Sequence, residues 1–244
     1  MEGVIRLVPC GVNGGATNMA ADEALVRSAA EGIASLRFYG WTSATVSLGY
    51  FQPAAARLAD ARLASLPFVR RPSGGATLVH HHELTYCLAL PPGEWQTGEP
   101  WMRRMHRIIT RALGELGVGV DAVPPQGMKD DAKSILCFLQ HTSGDLTSLG
   151  TKVVGSAQRK YHQALMQHGS ILLRQSEFAP QLPGLLETAG VAVGVDALAS
   201  AIAAAFVEDT GWRLVAGDWS AQECGWIDEL VATKYATAAW NEKR

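Results

Sequence analysis

Four short segments between residues 35 and 90 have the composition of β-strands, and they constrain the possible folds more than any other feature of the sequence. Each of them alternates or runs apolar, and glycine or proline interrupts the chain between them. The segments are Ser35 to Trp41, Ala44 to Gly49, Phe68 to Arg71 and Thr77 to Leu90. Similar patterns predict further strands at residues 4–9, 136–140, 152–158 and 165–174. The pattern therefore predicts a chain with many β-strands.

Helical patterns lie between these strands. The segment Glu99 to Leu116 carries apolar residues at helical spacing and stops before Gly117. We expect another helix to begin near Asn18, with Asp22 and Glu23 in its first turns.

More helix is expected near the C-terminal end. The Ala-rich stretch Asp196 to Glu208 predicts one helix, and the capping box Ser220-x-x-Glu223 predicts a last helix that carries Leu230, Val231 and Tyr235. The Pro-containing stretches that we expect to be loops are 91–100 and 123–128. The pattern predicts a single α/β domain over residues 1–244.

Composition limits the classes of partner. The chain of 244 residues is 48% hydrophobic and 18% charged, which allows a substantial core, and its formal net charge is -2. We expect no nucleic acid and no membrane partner, because anionic polymers and lipids select basic surfaces. No apolar run reaches the ~18 residues of a membrane span, and the first residues lack a secretory signal, so we expect a cytoplasmic protein. The four cysteines are far apart without a Cys-x-x-Cys pair, so neither a zinc site nor a disulfide framework is expected.

The segment Arg70-Arg71-Pro72-Ser73-Gly74-Gly75 follows a short apolar strand pattern and ends in a glycine pair. Such a turn can present backbone N–H groups and guanidinium groups to an anionic ligand. A surface hairpin with exposed arginines accounts for the same residues, because a double glycine is common in turns. The segment alone leaves both interpretations open.

Three successive histidines followed by Glu83 invite comparison with a metal site. Alternate residues of a strand point to opposite faces, so His80 and His82 share one side, while His81 and Glu83 share the other. At most two of the four side chains then reach the same ion. We therefore predict no metal site and expect one histidine to line a pocket.

Candidates for nucleophilic chemistry lie between residues 137 and 170. Cys137 is in an apolar run, where cysteine is most often an inert buried side chain, and Lys152 is compatible with a solvated lysine after a turn. Gly155 and Ser156 are compatible with a bulge in a strand, and His168 with a hydrogen-bonded core residue. The sequence has neither the Gly-x-Ser-x-Gly of serine hydrolases nor the Gly-x-Gly-x-x-Gly of dinucleotide sites. A thiol, an amine and glycine-rich turns together suit acyl-group chemistry.

Several longer motifs, taken together, are specific enough to indicate a family. They are Asn18-Met-Ala-Ala-Asp22-Glu23-Ala24, Leu36-Arg-Phe-Tyr-Gly-Trp41, Ser47-Leu-Gly-Tyr-Phe-Gln52, Arg70-Arg-Pro-Ser-Gly-Gly75 with His80, Glu83-Leu-Thr-Tyr86, Lys152-Val-Val-Gly-Ser-Ala-Gln158 and Gln167-His-Gly-Ser170. With these motifs the chain resembles the lipoate–protein ligase A and octanoyltransferase branch of the biotin/lipoate protein ligase superfamily. A weaker match continues around Lys234 and Trp240.

The resemblance implies an α/β (α+β) fold, in which a central mixed β-sheet is flanked by helices and forms an acyl-binding cleft. It assigns the catalytic roles to Cys137 and Lys152, and the lysine is expected to contact the carbonyl end of a lipoyl or octanoyl group. The residues expected to bind substrate are Arg70, Arg71, Ser73, Gly74, Gly75, His80, Gly155, Ser156, Ala157, His168 and Gly169.

Two chemistries share this scaffold, and the sequence departs from one of them. ATP-dependent ligases of the family have a third glycine after the glycine pair and an aspartate after the histidine, where this chain has Ala76 and His81. Cys137 matches the position of the acyl-accepting cysteine in cofactor-independent octanoyltransferases. We expect Lys152 to polarise the acyl carbonyl and to favour the Cys137 thiolate, with backbone donors near the Gly74-Gly75 turn at the oxyanion.

The resemblance therefore predicts an octanoyl-[acyl-carrier-protein]:protein N-octanoyltransferase of lipoate biosynthesis, which uses a Cys137 thioester and no cofactor. The expected donor is octanoyl-acyl carrier protein, and the expected acceptor is a lipoyl-domain protein such as the glycine-cleavage H protein or a dehydrogenase E2. An ATP-dependent lipoate–protein ligase, which would require ATP and Mg, is the alternative. The short stretch after Trp240 predicts that the C-terminal accessory domain of many ligases is missing. A catalytically silent protein that binds a lipoylated partner is a third interpretation.

Overall fold

The computed structural model of the chain describes residues 3–93, 99–124, 136–139 and 141–244. The strands in these ranges are β1 (Val4–Asn13), β2 (Ser35–Trp41), β3 (Thr45–Leu48), β4 (Phe68–Arg70), β5 (Leu78–His80), β6 (Glu83–Leu90), β7 (Asp121–Ala122), β8 (Leu146–Ser148), β9 (Thr151–Tyr161), β10 (Ala164–Leu172) and β11 (Arg213–Ala216). The α-helices are α1 (Gly15–Ala30), α2 (Ala61–Ala64), α3 (Trp101–Glu115), α4 (Leu185–Ala189), α5 (Val195–Thr210), α6 (Ala221–Leu230) and α7 (Ala238–Asn241). Short 3₁₀ turns occur at Ala54–Ala59 and Cys137–Leu139, and a π-helical turn at Val231–Tyr235.

Two sheets organise the chain. The larger sheet has the strand order β11-β1-β2-β6-β10-β9-β8-β7, and the smaller sheet has the order β4-β3-β5. In the larger sheet β1 runs parallel to both of its neighbours, whereas β6 and β10 are antiparallel to theirs. The sheet is therefore mixed, and the predicted fold class is confirmed.

Helices cover both faces of the larger sheet. On one face α3 and α5 pack through an apolar cluster that includes Ile109 and Phe206, and on the other face α1 and α6 pack through a cluster that includes Leu25 and Leu230. A third apolar cluster, which includes Phe138, lies at the smaller sheet. Both β6 and β10 are buried along their whole length because each has a helical layer on either side. In the ranges that the structure describes, none of the helices is both long and apolar enough to cross a membrane.

Periodicity located several elements correctly. The strand predicted over residues 35–41 is β2, and the two amphipathic or Ala-rich segments predicted as helices are α3 and α5. Gly117, with φ +80°, follows the end of α3 as predicted.

The first helix begins earlier than predicted. It starts at Gly15, so Asp22 and Glu23 lie in its middle and the prediction that they occupy its first turns is wrong. Asn18 sits inside α1, and its side-chain amide donates to one backbone carbonyl of β1 and one of β2, at 3.2 and 3.0 Å. The helix dipole stabilises acids only in the first turn, so buried acids in the middle of α1 need hydrogen-bonding or ionic partners.

The strand predicted over residues 136–140 is also wrong. Residues 137–139 form a 3₁₀ turn, and Gln140 lies outside the described residues. A short apolar run does not by itself distinguish a strand from other buried structure. Leu136 makes a β-bridge to Thr77, and the Cys137 N–H donates to the Thr77 carbonyl at 2.7 Å, after which the chain turns.

The segment predicted as one strand over residues 77–90 is two strands, β5 and β6, with a bend at His81 and His82. Because of the bend, successive side chains from His80 to Glu83 do not point alternately to opposite faces, as the prediction for the histidines assumed. His80 and Glu83 therefore lie on the same side, and His80 Nδ1 is 2.7 Å from Glu83 Oε1. Their predicted placement on opposite faces is wrong.

The predicted capping box opens α6. Ser220 Oγ accepts from the Glu223 N–H at 3.1 Å, and the Ser220 N–H donates to the Glu223 carboxylate at 2.9 Å. This helix is not the last one, because it ends at Leu230 and is followed by the π-helical turn and α7. The described parts of the two predicted loops have no helix or strand, and residues 94–98 and 125–128 lie outside the described residues.

A buried carboxylate joins α1 to the larger sheet. Asp22 is 0% exposed and accepts hydrogen bonds from Arg37 at 2.9 Å and from the Tyr39 hydroxyl at 2.8 Å, both on β2. Its Oδ2 also lies 3.1 Å from His168 Nδ1 on β10. One side chain of α1 thus bonds to two strands of the sheet.

Asp22→Ala removes the partner of a buried guanidinium, so we expect the free energy of unfolding to fall by roughly 3–5 kcal/mol. Urea unfolding followed by circular dichroism measures the change. The control is Asp228→Ala on the exposed side of α6, which should stay within about 0.5 kcal/mol of the wild type. Equal destabilisation by the two variants would contradict this role of Asp22.

Candidate active site

A narrow cleft lies between the smaller sheet and the strands β9 and β10 of the larger sheet. Glycine backbone and apolar side chains form much of its wall. The lining residues in the described part of the chain are Met19, Tyr39, Ser47, Arg71, Gly74, Gly75, Leu78, His80, Thr85, Cys137, Phe138, Gly155, Ser156, Ala157, His168, Gly169 and Ser170.

Most of the residues predicted for the site line this cleft. Those that do are Arg71, Gly74, Gly75, His80, Cys137, Gly155, Ser156, Ala157, His168 and Gly169. Arg70, Ser73 and Lys152 are buried behind the lining. The fold therefore brings together residues that are far apart in the sequence.

Cys137 and Lys152 lie side by side. Lys152 Nζ is 3.8 Å from Cys137 Sγ and 3.5 Å from the Cys137 carbonyl oxygen, and it is 5.1 Å from the centre of the Phe138 ring. Cys137 is half-buried and lines the cleft, so its sulfur can be reached from there. A thiol beside an ammonium is the arrangement of a nucleophilic cysteine, because the cation stabilises the thiolate.

Asp145 is the ionic partner of Lys152. Its Oδ2 is 2.7 Å from Lys152 Nζ, and the two side chains are 5% and 2% exposed. Thr142 holds the same carboxylate oxygen through its N–H at 2.7 Å and its hydroxyl at 2.8 Å. The pair holds the Lys152 ammonium in a fixed position beside the sulfur.

Arg71 organises the glycine loop at the cleft. Its guanidinium donates to the carbonyls of Ser47 and Gly74 at 3.0 and 2.9 Å. Gly75 has φ +91°, and its carbonyl packs so closely on Gly49 that a Cβ there would lie 1.8 Å from the oxygen. These close contacts, which the glycines permit, hold the loop in place.

Arg71 also places a positive charge at the cleft. Burial lowers the pKa of Arg71 to about 10, so the guanidinium is still charged at neutral pH. The charge that raises the pKa of Arg71 back toward its ordinary value, within the described residues, is the Cys137 thiolate. The sulfur thus interacts with two cations.

Arg70, by contrast, does not line the cleft. It is 0% exposed and donates to the carbonyls of Gly49 at 3.0 Å, Gln52 at 2.6 Å and Asn241 at 2.9 Å. Its side chain therefore ties α7 to the loop that follows β3, and its guanidinium points away from the cleft lining.

His80 is held in the cleft wall by stacking and by two hydrogen bonds. Its ring stacks on Trp41 with centroids 3.8 Å apart, and its Nε2 is 2.8 Å from Ser47 Oγ. Glu83 Oε1, which faces Nδ1, also accepts from Ser170 at 2.9 Å. A carboxylate accepts hydrogen bonds, so the proton of the ring is on Nδ1.

His168 is held in a similar way. Its Nδ1 faces Asp22, and its Nε2 is 2.6 Å from Ser73 Oγ. An acid, a histidine and a serine in this order resemble the triad of serine hydrolases. Ser73 is 1% exposed and does not line the cleft, however, whereas Cys137 does line it.

The strands β9 and β10 approach each other closely at Gly155 and Gly169. A Cβ on Gly169 would lie 2.3 Å from Ser156 Oγ and 2.6 Å from the Tyr86 ring, and a Cβ on Gly155 would lie 2.8 Å from the Lys152 side chain. The overlap at Gly155 is with the end of a long side chain, whereas that at Gly169 includes the Gly155 carbonyl oxygen at 2.9 Å, so Gly169 is the more restrictive of the two positions.

Sequence reasoning missed two acids of this site. Asp145 lies in a turn without periodicity or a known motif, and no signal in the sequence indicates its pairing with Lys152. Asp22 belongs to a motif of the resembled family, but its partner His168 is far away in the chain. The motif is the one signal that could have identified Asp22 as a site residue.

Comparison with known proteins adds independent information. A family model described as the lipoyl protein ligase A/B catalytic domain matches residues 15–202. Octanoyltransferase LipM of Kyrpidia tusciae is 32% identical over an alignment of 273 residues, and Octanoyltransferase LipM of Bacillus subtilis is 30% identical over 273 residues; each alignment covers 98% of both chains. The structure is also similar to that of a lipoate-protein ligase A bound with ATP, with a TM-score of 0.77, 22% identity and 99% of each chain covered. This last similarity concerns the fold.

Gly169→Ala is expected to lower the free energy of unfolding by about 1–3 kcal/mol, because the added methyl group overlaps Ser156 and Tyr86. Gly114→Ala, in α3, is the matched control: a Cβ there meets no atom within 4 Å and should raise stability by up to about 1 kcal/mol. Urea unfolding measures both. A change of the same sign in the two variants would contradict the close packing at Gly169.

Proposed function

The chain belongs to the lipoyl protein ligase A/B catalytic-domain family, and we propose that within this family it is an octanoyltransferase of lipoate biosynthesis. Such an enzyme moves an octanoyl group from a thioester donor to a lysine of a protein. Full-length similarity to octanoyltransferases supports the proposal. The observation that carries it is the position of Cys137 Sγ, 3.8 Å from Lys152 Nζ, in an apolar cleft.

In the first proposed step, the Cys137 thiolate attacks the carbonyl carbon of the donor thioester. A new carbon–sulfur bond forms, the bond to the donor sulfur breaks, and the donor leaves as a thiolate that takes up a proton. One thioester replaces another, so the step is close to thermoneutral and needs no nucleotide.

In the second proposed step, the neutral amine of the acceptor lysine attacks the Cys137 thioester. A carbon–nitrogen bond forms, the carbon–sulfur bond breaks, and the proton lost by the amine passes to the departing sulfur. The product is an amide, which is more stable than a thioester. The donor thioester therefore supplies the driving force of the whole transfer.

In the proposed mechanism two cations lie near the sulfur of Cys137. Lys152 and Arg71 stabilise the thiolate, both as the attacking group and as the leaving group, and they attract the negative charge that develops on the acyl oxygen. Met19, Leu78 and Phe138 in the cleft wall offer an apolar surface to the hydrocarbon chain.

The proposed acceptor is a lipoyl-domain protein, such as the glycine-cleavage H protein or a dehydrogenase E2. The proposed donor is octanoyl-acyl carrier protein, in which the octanoyl group is already a thioester. A reaction between these two proteins requires no ATP, no metal and no other cofactor, because activation of the acyl group has taken place on the donor.

The protein, incubated with octanoyl-acyl carrier protein and a lipoyl domain without nucleotide, should octanoylate the domain. Cys137→Ala should lower the initial rate at least about 100-fold, because no other nucleophile takes the place of the thiol. When the acceptor is withheld, intact-protein mass spectrometry should find one octanoyl group on the wild type and none on the variant.

Cys224→Ala changes an exposed thiol on α6 and is the matched control, with transfer at the wild-type rate. Transfer by Cys137→Ala at that same rate would contradict the thioester mechanism. If acylation of the domain instead depends on free octanoate and ATP and releases AMP, the protein is a ligase and the proposed function is wrong.

Lys152→Met leaves the Asp145 carboxylate buried without its partner, so it should cost roughly 3–5 kcal/mol of unfolding free energy as well as transfer. Adding Asp145→Asn removes the unpaired charge and should restore most of the stability. Transfer should stay at least about 100-fold below wild type, because the cation beside the sulfur is still missing. Urea unfolding and initial rates on the same samples separate the two effects. Recovery of transfer in the double variant would mean that Lys152 merely neutralises Asp145.

A further inference from the structure

His106 lies on α3, behind the wall of the cleft, and bonds to two different parts of the site. It is 3% exposed, with Nδ1 2.5 Å from the Gly144 carbonyl oxygen and Nε2 2.7 Å from Ser156 Oγ. Gly144 immediately precedes Asp145, the ionic partner of Lys152, and Ser156 lines the cleft. One imidazole ring thus joins the support of the catalytic cation to the cleft wall.

The Gly144 carbonyl determines which atoms donate in the chain of hydrogen bonds that runs from Gly144 through His106 and Ser156 to Tyr86. A carbonyl can only accept, so His106 Nδ1 carries a proton. Burial lowers the pKa of His106 and favours the neutral ring, whose Nε2 is then an acceptor. Ser156 must therefore donate its hydroxyl proton to Nε2, and it accepts from the Tyr86 hydroxyl, which is 2.7 Å away.

The hydrogen bonds of Gln158, Gln167 and Tyr86, at the other end of this chain, require the same donor at each bond. The Gln158 side chain donates to Gln167 Oε1 at 2.8 Å, and Gln167 Nε2 donates to the Tyr86 hydroxyl at 2.8 Å. Burial raises the pKa of Tyr86, so the phenol keeps its proton and donates it to Ser156. Both ends agree that the Ser156 proton points to His106, which leaves this serine as an acceptor toward the cleft.

The turn that carries Asp145 is held by a small set of contacts. Gly144 has φ +93°, its N–H donates to the Val123 carbonyl at 2.9 Å, and the Asp145 N–H donates to the Thr142 carbonyl at 3.0 Å. These bonds, and one from the Val123 N–H to the Asp145 carbonyl at 2.8 Å, join the turn to other loop residues, and β8 begins directly after Asp145. The His106 ring, in contrast, ties it to a long helix whose inner face is packed in the core.

We infer that His106 is a positioning residue: by holding the Gly144 carbonyl, it fixes the Asp145 carboxylate and, through it, the Lys152 ammonium beside Cys137. A cation held at a fixed distance from the sulfur favours the thiolate more than a mobile one does. The value of this arrangement for catalysis rests on the proposed function, whereas the reactivity of the thiol can be measured without any acyl group.

Two conservative variants separate the two hydrogen bonds of His106. His106→Asn keeps a donor near the position of Nδ1, and His106→Gln places its amide near the position of Nε2 and loses the contact with Gly144. At about pH 7, iodoacetamide should alkylate Cys137 in His106→Asn within about twofold of the wild-type rate, and in His106→Gln about 10-fold more slowly. Mass spectrometry of the peptide that contains Cys137 separates this thiol from the other cysteines.

Thr110→Val, one turn further along α3, is the matched control and should react like the wild type. Urea unfolding gives the folded fraction of each variant, and each alkylation rate is divided by it, so that loss of folding is not counted as loss of reactivity. In an Asp145→Asn background, His106→Gln should slow alkylation no further, because both changes act through the same carboxylate.

A wild-type alkylation rate in His106→Gln, or an equal slowing in the Asp145→Asn background, would overturn the inference. A wild-type protein that fails to transfer octanoyl groups, while these alkylation rates come out as expected, would refute the proposed function and leave the positioning role of His106 standing.

Discussion

The buried carboxylate of Asp22 is the constraint on which the cleft depends. A charge that is 0% exposed is tolerated only with close partners, and Asp22 takes them from two strands that also form the cleft. Tyr39 and His168 both bond to its Oδ2 and both line the cleft. Because Arg37 balances the charge at 2.9 Å, α1 cannot shift along the sheet without leaving a buried ion unpaired. This part of the wall is therefore fixed before any substrate binds.

Buried charges also need close partners beside the sulfur, where Lys152 and Asp145 form another buried ion pair. Burying two charges costs desolvation free energy, so such a pair contributes little to net stability compared with apolar packing. The ion pair does, however, fix the position of the Lys152 ammonium. A site that must stabilise a thiolate benefits from a cation whose position does not have to be reorganised during the reaction, and that benefit accounts for a polar pair in otherwise apolar surroundings.

Features of the fold and of the cleft could be predicted from the sequence where the residues that define them lie close together in the chain. Periodicity predicted β2, α3 and α5, because the residues that define these elements lie within one window of sequence. The resemblance to a family, carried by its motifs, likewise indicated most of the residues that line the cleft. The bend after His80, which brings Glu83 to the same side, breaks the alternation that a strand pattern assumes. Asp145 reaches Lys152 through a pairing of β8 with β9 that contains a register shift, and no periodic pattern predicts such a shift.

The donor groups of three cations near the cleft already have partners within the protein. The guanidinium groups of Arg70 and Arg71 donate to backbone carbonyls, and the ammonium of Lys152 is bound to a carboxylate, so none of the three offers an open set of donors to a phosphate or a free carboxylate. Carbonyl groups satisfy the hydrogen bonds of Arg71 but do not cancel its charge. A neutral thioester enters such a cleft without bringing in an anion that must lose its water. The cleft is thus compatible with the neutral thioester donor of the proposed octanoyl transfer.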